Sequence, residues 1–211
     1  MNSTQTKQML QYMAHNMVKS EPELTRVDQA IGDGDHGLGI ERGFSNVEQL
    51  IEQGFEAKSV GDVLTKVGTK LLTTMGGASG AIFGTLFRNG GKAVSNAPEL
   101  TTAVVADFLA AGLEGIRQRG GADEGAKTMI DALAPAARKA HEIAHLPLEQ
   151  SMPLITAAAK QGVEATKSMI ATTGKAKTLG ERSLGYPDPG AISMSLILEF
   201  MTTYIVEGVP A

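Results

Sequence analysis

Three carboxylates and an imidazole fall within nine positions of this chain: Asp28, Asp33, Asp35 and His36. Carboxylates spaced so closely repel one another unless solvent or a cation stands between them. Hard divalent ions such as Mg²⁺ take oxygen ligands, accept a few protein carboxylates and complete their shell with water and substrate phosphates. The residue types therefore predict a site for a metal ion and a phosphate. Gly32, Gly34, Gly37 and Gly39 interleave with these groups and let the backbone fold tightly. Asp-Gly pairs also make ordinary exposed turns, but a bare turn gives no reason for the density of like charge or for His36. A calcium loop of the EF-hand type is excluded: counted from Asp33, Leu38 and Phe44 stand where that motif needs Gly and Glu.

A second candidate is Gly76-Gly77-Ala78-Ser79-Gly80. Gly76, Gly80 and Gly84 recur every four residues, so on a helix they share one face that a neighbour can approach closely. The Gly-Gly break also exposes free N–H groups at a helix start, where unpaired donors and the helix dipole favour a phosphate, and Ser79 adds a hydroxyl. The two readings are compatible. Residues 121–128 nearly spell a P-loop, but Ala126 replaces a required glycine and helical periodicity precedes it where the motif needs a strand. Lys127 and Thr128 keep the option of facing a nucleotide by another geometry. Between Gly174 and Gly190, Lys175, Lys177 and Arg182 read either as a solvated basic loop or as a flap that brings positive charge to phosphates. His141 and His145, at i and i+4, have no third ligand nearby and read as a solvated or partly packed face; His15 reads as helix surface.

The elements that must hold these loops are helical. Met9, Leu10, Met13 and Met17 mark a helix from Gln5 to Lys19. Another begins near Gly39 and runs through Phe44, Val47, Leu50 and Ile51. A third follows Asp62, read as its N-cap, through Val63, Leu64, Val67, Leu71, Leu72 and Met75. Beyond a loop at 89–98, the stretch from Val104 to Ile116 predicts a helix stopped by Gly120-Gly121. An Ala-rich helix spans Thr128 to Leu146, bent at Pro135, and a further one spans Pro153 to Thr173 and ends at Gly174. Asp188-Pro189 opens the last, Ala191 to Ile205, apolar nearly all round and so buried. No segment alternates with period two. The expected fold is all-α, with loops gathered at the ends of a bundle.

The 211 residues suffice for one domain, 1–211, with a sizeable core. A net charge of -4 with no basic run argues against nucleic-acid binding. Cysteine is absent, which excludes disulfides, thiolate nucleophiles and zinc-thiolate sites. The polar start, Met1 to Leu10, lacks the apolar core of a signal peptide, and no run approaches a membrane span. The expectation is a soluble cytoplasmic protein that does not enter the membrane.

Taken in order, Asp28-x4-Asp33-x-Asp35-His36-Gly37, Gly76-Gly77-Ala78-Ser79-Gly80, Lys127-Thr128-Met129, Gly180-Glu181-Arg182-Ser183 and Asp188-Pro189-Gly190 resemble the nucleotide-binding L subunit of dihydroxyacetone kinase and its relatives, over nearly the whole chain. The resemblance implies a nucleotide-binding domain built as a barrel of about eight antiparallel amphipathic helices, with ADP or ATP at one end. It implies that Asp28, Asp33 and Asp35 hold two Mg²⁺ ions, and that His36 and the backbone of Gly37, Leu38 and Gly39 touch phosphate oxygens. Gly76, Gly77, Ala78 and Ser79 would take phosphate at the helix start. Gly120 and Met129 would line the base pocket beside Thr128, and Asp188, Pro189 and Gly190 would complete the site. The flap contact falls to Lys175 and Arg182.

The chemistry so implied is phosphoryl transfer to a short ketose held by a separate K subunit, with no catalytic nucleophile from this chain. The phosphoryl source is either the phosphohistidine M subunit of a phosphotransferase system, recharging bound ADP, or ATP exchanging from solution. The nucleotide domain of fatty-acid kinases ranks low, since it normally continues into further domains. A nucleotide-loaded regulatory module is the alternative outside enzymes, and the intact aspartates weigh against it. Oligomeric state is not legible, and a homodimer stays open.

Overall fold

A computed structural model describes residues 1–208. Among them nine α-helices and one 3₁₀ segment carry the fold, with no strand beyond an isolated bridge between Asn2 and Glu99. The all-α expectation holds.

α1 (Ser3–Lys19) starts from a capping box made by Asn2 and Gln5 and buries Met9, Leu10, Met13 and Met17, the face its periodicity predicts. α2 (Glu21–Ile31) stands where the apolar periodicity marks no helix. Pro22 opens it, and its buried face is Leu24, Asp28 and Ile31. An aspartate in the middle of that stripe hides the helical period. α3 (His36–Glu52) begins at His36, ahead of the expected Gly39. α4 (Val60–Thr74) takes Ser59 as its N-cap, accepting from the Asp62 N–H at 3.0 Å; Asp62 is not the cap, and its carboxylate accepts instead from Lys58 N–H at 3.0 Å.

α5 (Gly77–Ala93) and α6 (Thr102–Gly120) shorten the loop expected at 89–98. Asn89, Gly90 and Gly91 stay helical because neighbouring helices press on them, and the left-handed Gly121 (φ 64°) ends α6 as predicted. α7 (Ile130–Glu142) contains Pro135, and α8 (Leu148–Thr166) contains Pro153. α8 stops at Thr166 rather than Thr173, where the Lys127 ammonium takes its last carbonyl at 2.7 Å. A 3₁₀ segment, Lys175–Ser183, precedes α9 (Pro189–Glu207), which Asp188 caps through the Ala191 N–H at 2.7 Å. By length and composition α9 is apolar enough to cross a membrane, against the sequence expectation. Here it packs on α8 and α1.

Contacts run α3 to α4, α4 to α5 and on through α9, then from α9 to α1 and from α1 to α3, so eight helices close a ring; α2 lies against α3 and α9. Paired residues show antiparallel neighbours: His15 with Glu48 and Gln11 with Glu52 across α1 and α3, Thr156 with Thr202 and Lys160 with Glu199 across α8 and α9. α4 and α5 cross closely. A Cβ on Gly68 would stand 2.3 Å from the Arg88 nitrogen, and one on Gly84 2.8 Å from the Leu72 Cα. In such a ring alternate connections emerge at one end. Those after α2, α4, α6 and α8 line a single cavity.

Candidate functional site

Asp28 sits on the last turn of α2, 9% exposed, with its Oδ2 accepting from the His36 N–H at 3.2 Å. The carboxylate thus faces the positive end of α3. Gly32 makes room for it, because a Cβ there would lie 2.2 Å from Asp28 Oδ1. Asp33 and Asp35 extend from the short loop that follows and are exposed. One carboxylate oxygen from each of the three lies within 4.8 Å of the others. Opposite ligands about 2.1 Å from one octahedral ion stand about 4.2 Å apart, so the cluster is within a small side-chain adjustment of the span a hard cation takes. A cation already reaches it: the Lys175 ammonium donates to Asp33 and to Asp35, the latter at 3.0 Å. The lysine of the 174–190 segment therefore faces the acidic cluster.

His36 is half-buried between helices. Nδ1 meets Ser79 Oγ at 3.1 Å and Nε2 meets Ser193 Oγ at 2.7 Å. Burial lowers its pKa, against the opposing pull of the Asp28 carboxylate and the Pro189 backbone. A neutral ring between two hydroxyls ties α3 to α5 and α9. Across the cavity, Gly76 (φ 76°) breaks the chain before α5, whose first turn has no side-chain cap. Its amide N–H groups are free donors for an anion. Arg42 donates to the carbonyls of Thr74 and Met75 and so occupies the acceptors that end α4.

The cavity encloses about 670 Å³. Its lining divides between apolar side chains, Ile31, Ile82, Phe83, Ile116 and Met129, and polar groups, the aspartates, Ser79 and Lys175. That division suits a ligand with a flat apolar end and an anionic end. Every residue expected at the site lines this cavity except Gly37 and Arg182. Gly37 packs α3 on α2, since a Cβ would approach Glu21 O to 2.5 Å. Arg182 is exposed on the flap, away from the lining. Lys127 lies at the cavity, but its ammonium is spent on the carbonyls of Thr166, Met169 and Tyr186 and does not face a ligand.

Sequence reasoning missed Arg42, Ser193 and Asp131. Leu38 and Arg42, four apart on α3, share a face, which is the signal that could have found the arginine. Asp131 is buried and accepts from Gly125 N–H at 2.5 Å and Thr128 N–H at 2.7 Å, shaping the turn that presents Thr128 and Met129. Asp188 is pushed up to about 7, chiefly by burial and further by the Asp131 and Asp28 carboxylates; the Ala191 N–H and the Lys127 ammonium oppose the shift.

An acidic cluster, an uncapped helix start and apolar side chains gathered in one cavity at the end of a helical ring define an all-α class of protein with a site suited to an anionic ligand. The chain belongs to the DAK2 domain family, which matches residues 30–203. It is 37% identical over 178 residues to the ADP-binding subunit DhaL of the PEP-dependent dihydroxyacetone kinase 1 of Listeria innocua, covering 84% of each chain. It is 36% identical over 180 residues to the ADP-binding subunit DhaL of the PEP-dependent dihydroxyacetone kinase of Escherichia coli, covering 84% of this chain and 85% of that one. L-erythrulose 1-kinase of Mycolicibacterium smegmatis is 33% identical over 193 residues, 88% of this chain and 33% of the kinase. The dihydroxyacetone kinase of C. freundii shares the fold: TM-score 0.73 and 24% identity over 93% of this chain and 34% of that one.

Proposed function

We propose that this chain is the ADP- or ATP-binding subunit of a dihydroxyacetone-type kinase, acting in the cytoplasm with a separate K subunit that holds a short ketose. The observation that carries the reading is the convergence of three aspartate oxygens within 4.8 Å of one another beside the free amides of α5. Relatives described as ADP-binding subunits, matched over most of their length, support it.

Asp28, Asp33 and Asp35 would hold two Mg²⁺ ions. When bound, the metals and nucleotide supply charge neutralisation and the phosphoryl group, the main needs of such a transfer. The protein's own part is positional. The α5 amides of Gly77, Ala78 and Ser79 orient phosphate oxygens, and His36 stays neutral and fixed by Ser79 and Ser193. Ile82, Ile116 and Met129 exclude water around the base. Lys175, which pairs with Asp33 and Asp35, would supply positive charge to the phosphates once those carboxylates held metal.

The phosphoryl source favoured here is a phosphohistidine M subunit that recharges resident ADP, because the relatives of 36–37% identity are named PEP-dependent. Acid extraction of the extensively dialysed protein, followed by chromatography, tests this. Near-stoichiometric ADP is expected. An empty protein strongly stabilised by Mg-ATP would move the assignment to a kinase with exchanging nucleotide, and one stabilised by neither Mg-ATP nor Mg-ADP would refute the nucleotide reading.

A further inference from the structure

Lys127 stands between the cavity and the flap. It has left-handed backbone (φ 61°), alone among the non-glycine residues described, and its side chain is 2% exposed. Side-chain-bearing residues avoid that conformation, and a buried ammonium is costly unless its donors are satisfied. All three are used: Thr166 O at 2.7 Å, Met169 O at 3.2 Å and Tyr186 O at 2.6 Å. Two of these carbonyls lie where α8 ends; the third lies two residues before the cap of α9. One side chain therefore joins both ends of the segment 169–186, whose interior carries Lys175.

Three further bonds close the same base: Thr172 N–H to Ala126 O at 3.2 Å, Gly185 N–H to Lys167 O at 2.8 Å, and Ala171 N–H to Ser183 Oγ at 3.2 Å. The outer part of the flap is held differently, by Lys175 on the exposed Asp33 and Asp35. A metal held by Asp33 and Asp35 would displace that contact and leave the base of the flap to decide where Lys175 can reach.

We propose that Lys127 is a positioning residue of the nucleotide site, clamping both ends of the flap so that Lys175 is delivered to the phosphates; this rests on the nucleotide reading above. Opening the base would lengthen the mobile loop and raise the entropic cost of ordering Lys175.

Trypsin supplies a direct probe, since Lys175, Lys177 and Arg182 are its cleavage points in the flap. Lys127→Met keeps the side-chain length and removes every donor. Cleavage within 175–182 should accelerate about tenfold or more while cooperative melting persists, and Lys127→Arg should restore part of the protection. Mg-ADP affinity in Lys127→Met should fall about as far as in Lys175→Ala, with the double variant no weaker than either single one. Unchanged cleavage, or affinity losses that simply add, would overturn the proposal. Should Lys127→Met not fold, hydrogen exchange of the unaltered protein decides: the amides of Thr172 and Gly185 should be protected, and exchange as fast as in an open loop would refute the clamp. If the unaltered protein binds no Mg-ADP, the nucleotide reading fails while the proteolysis result stands.

Discussion

Asp188 joins two duties that pull its charge in opposite directions. It caps α9, which favours the carboxylate, yet its burial near Asp131 and Asp28 raises its pKa from 3.8 to about 7. The folded protein therefore holds a proton that the unfolded chain releases, and stability from this group is full below about pH 4 and lost as pH rises to about 7. Asp188→Asn retains an N-cap acceptor and escapes this loss. Its melting temperature, measured without nucleotide, should exceed that of the unaltered protein near neutral pH, and the advantage should shrink towards pH 4. A constant difference across that range would mean that Asp188 is ionised throughout.

The aspartates were legible in the sequence because three acids beside a histidine have few structural uses. The placement of Asp28 was not. It lies on a helix, and by interrupting the apolar stripe of α2 it erased the periodicity that would have shown that helix. Lys127 misleads in the other way: a Lys-Thr pair after glycines suggests phosphate contact, and only the fold reveals three carbonyls around the ammonium.

Between elements, the α4–α5 crossing decides how Gly76 is presented. The glycine row divides between two roles. Gly76 breaks the chain before α5 and leaves its first turn uncapped, whereas Gly84 lies against Leu72. Gly68→Ala would push a methyl to 2.3 Å from the Arg88 nitrogen, a backbone atom that cannot move alone. Overpacking of this kind costs about 1–3 kcal/mol, more than the helix propensity gained by replacing glycine, about 1 kcal/mol. A lower denaturation midpoint at unchanged m-value is expected; an unchanged or higher midpoint would show that the crossing relaxes freely. Helix ends were the least legible feature of the sequence. Tertiary partners set them: Ser59 rather than Asp62 caps α4, and Lys127 takes the last carbonyl of α8.

The ring of eight helices explains why residues as far apart as Asp28 and Gly190 share a cavity: connections after α2, α4, α6 and α8 open at the same end. Each glycine-rich loop was visible in the sequence, but their convergence follows only from the alternation of helices around the ring. The proposed function requires the acidic cluster to be a metal position for a nucleotide. Calorimetric titration of Mg-ADP into the unaltered protein, stripped of any bound nucleotide, and into Asp33→Asn tests it most directly, with circular dichroism of both. Measurable binding by the former is expected, with a loss of at least about a hundredfold in the variant, as when a charged ligand contact of about 3 kcal/mol disappears, and identical helix content. Equal affinity in the two proteins would contradict it.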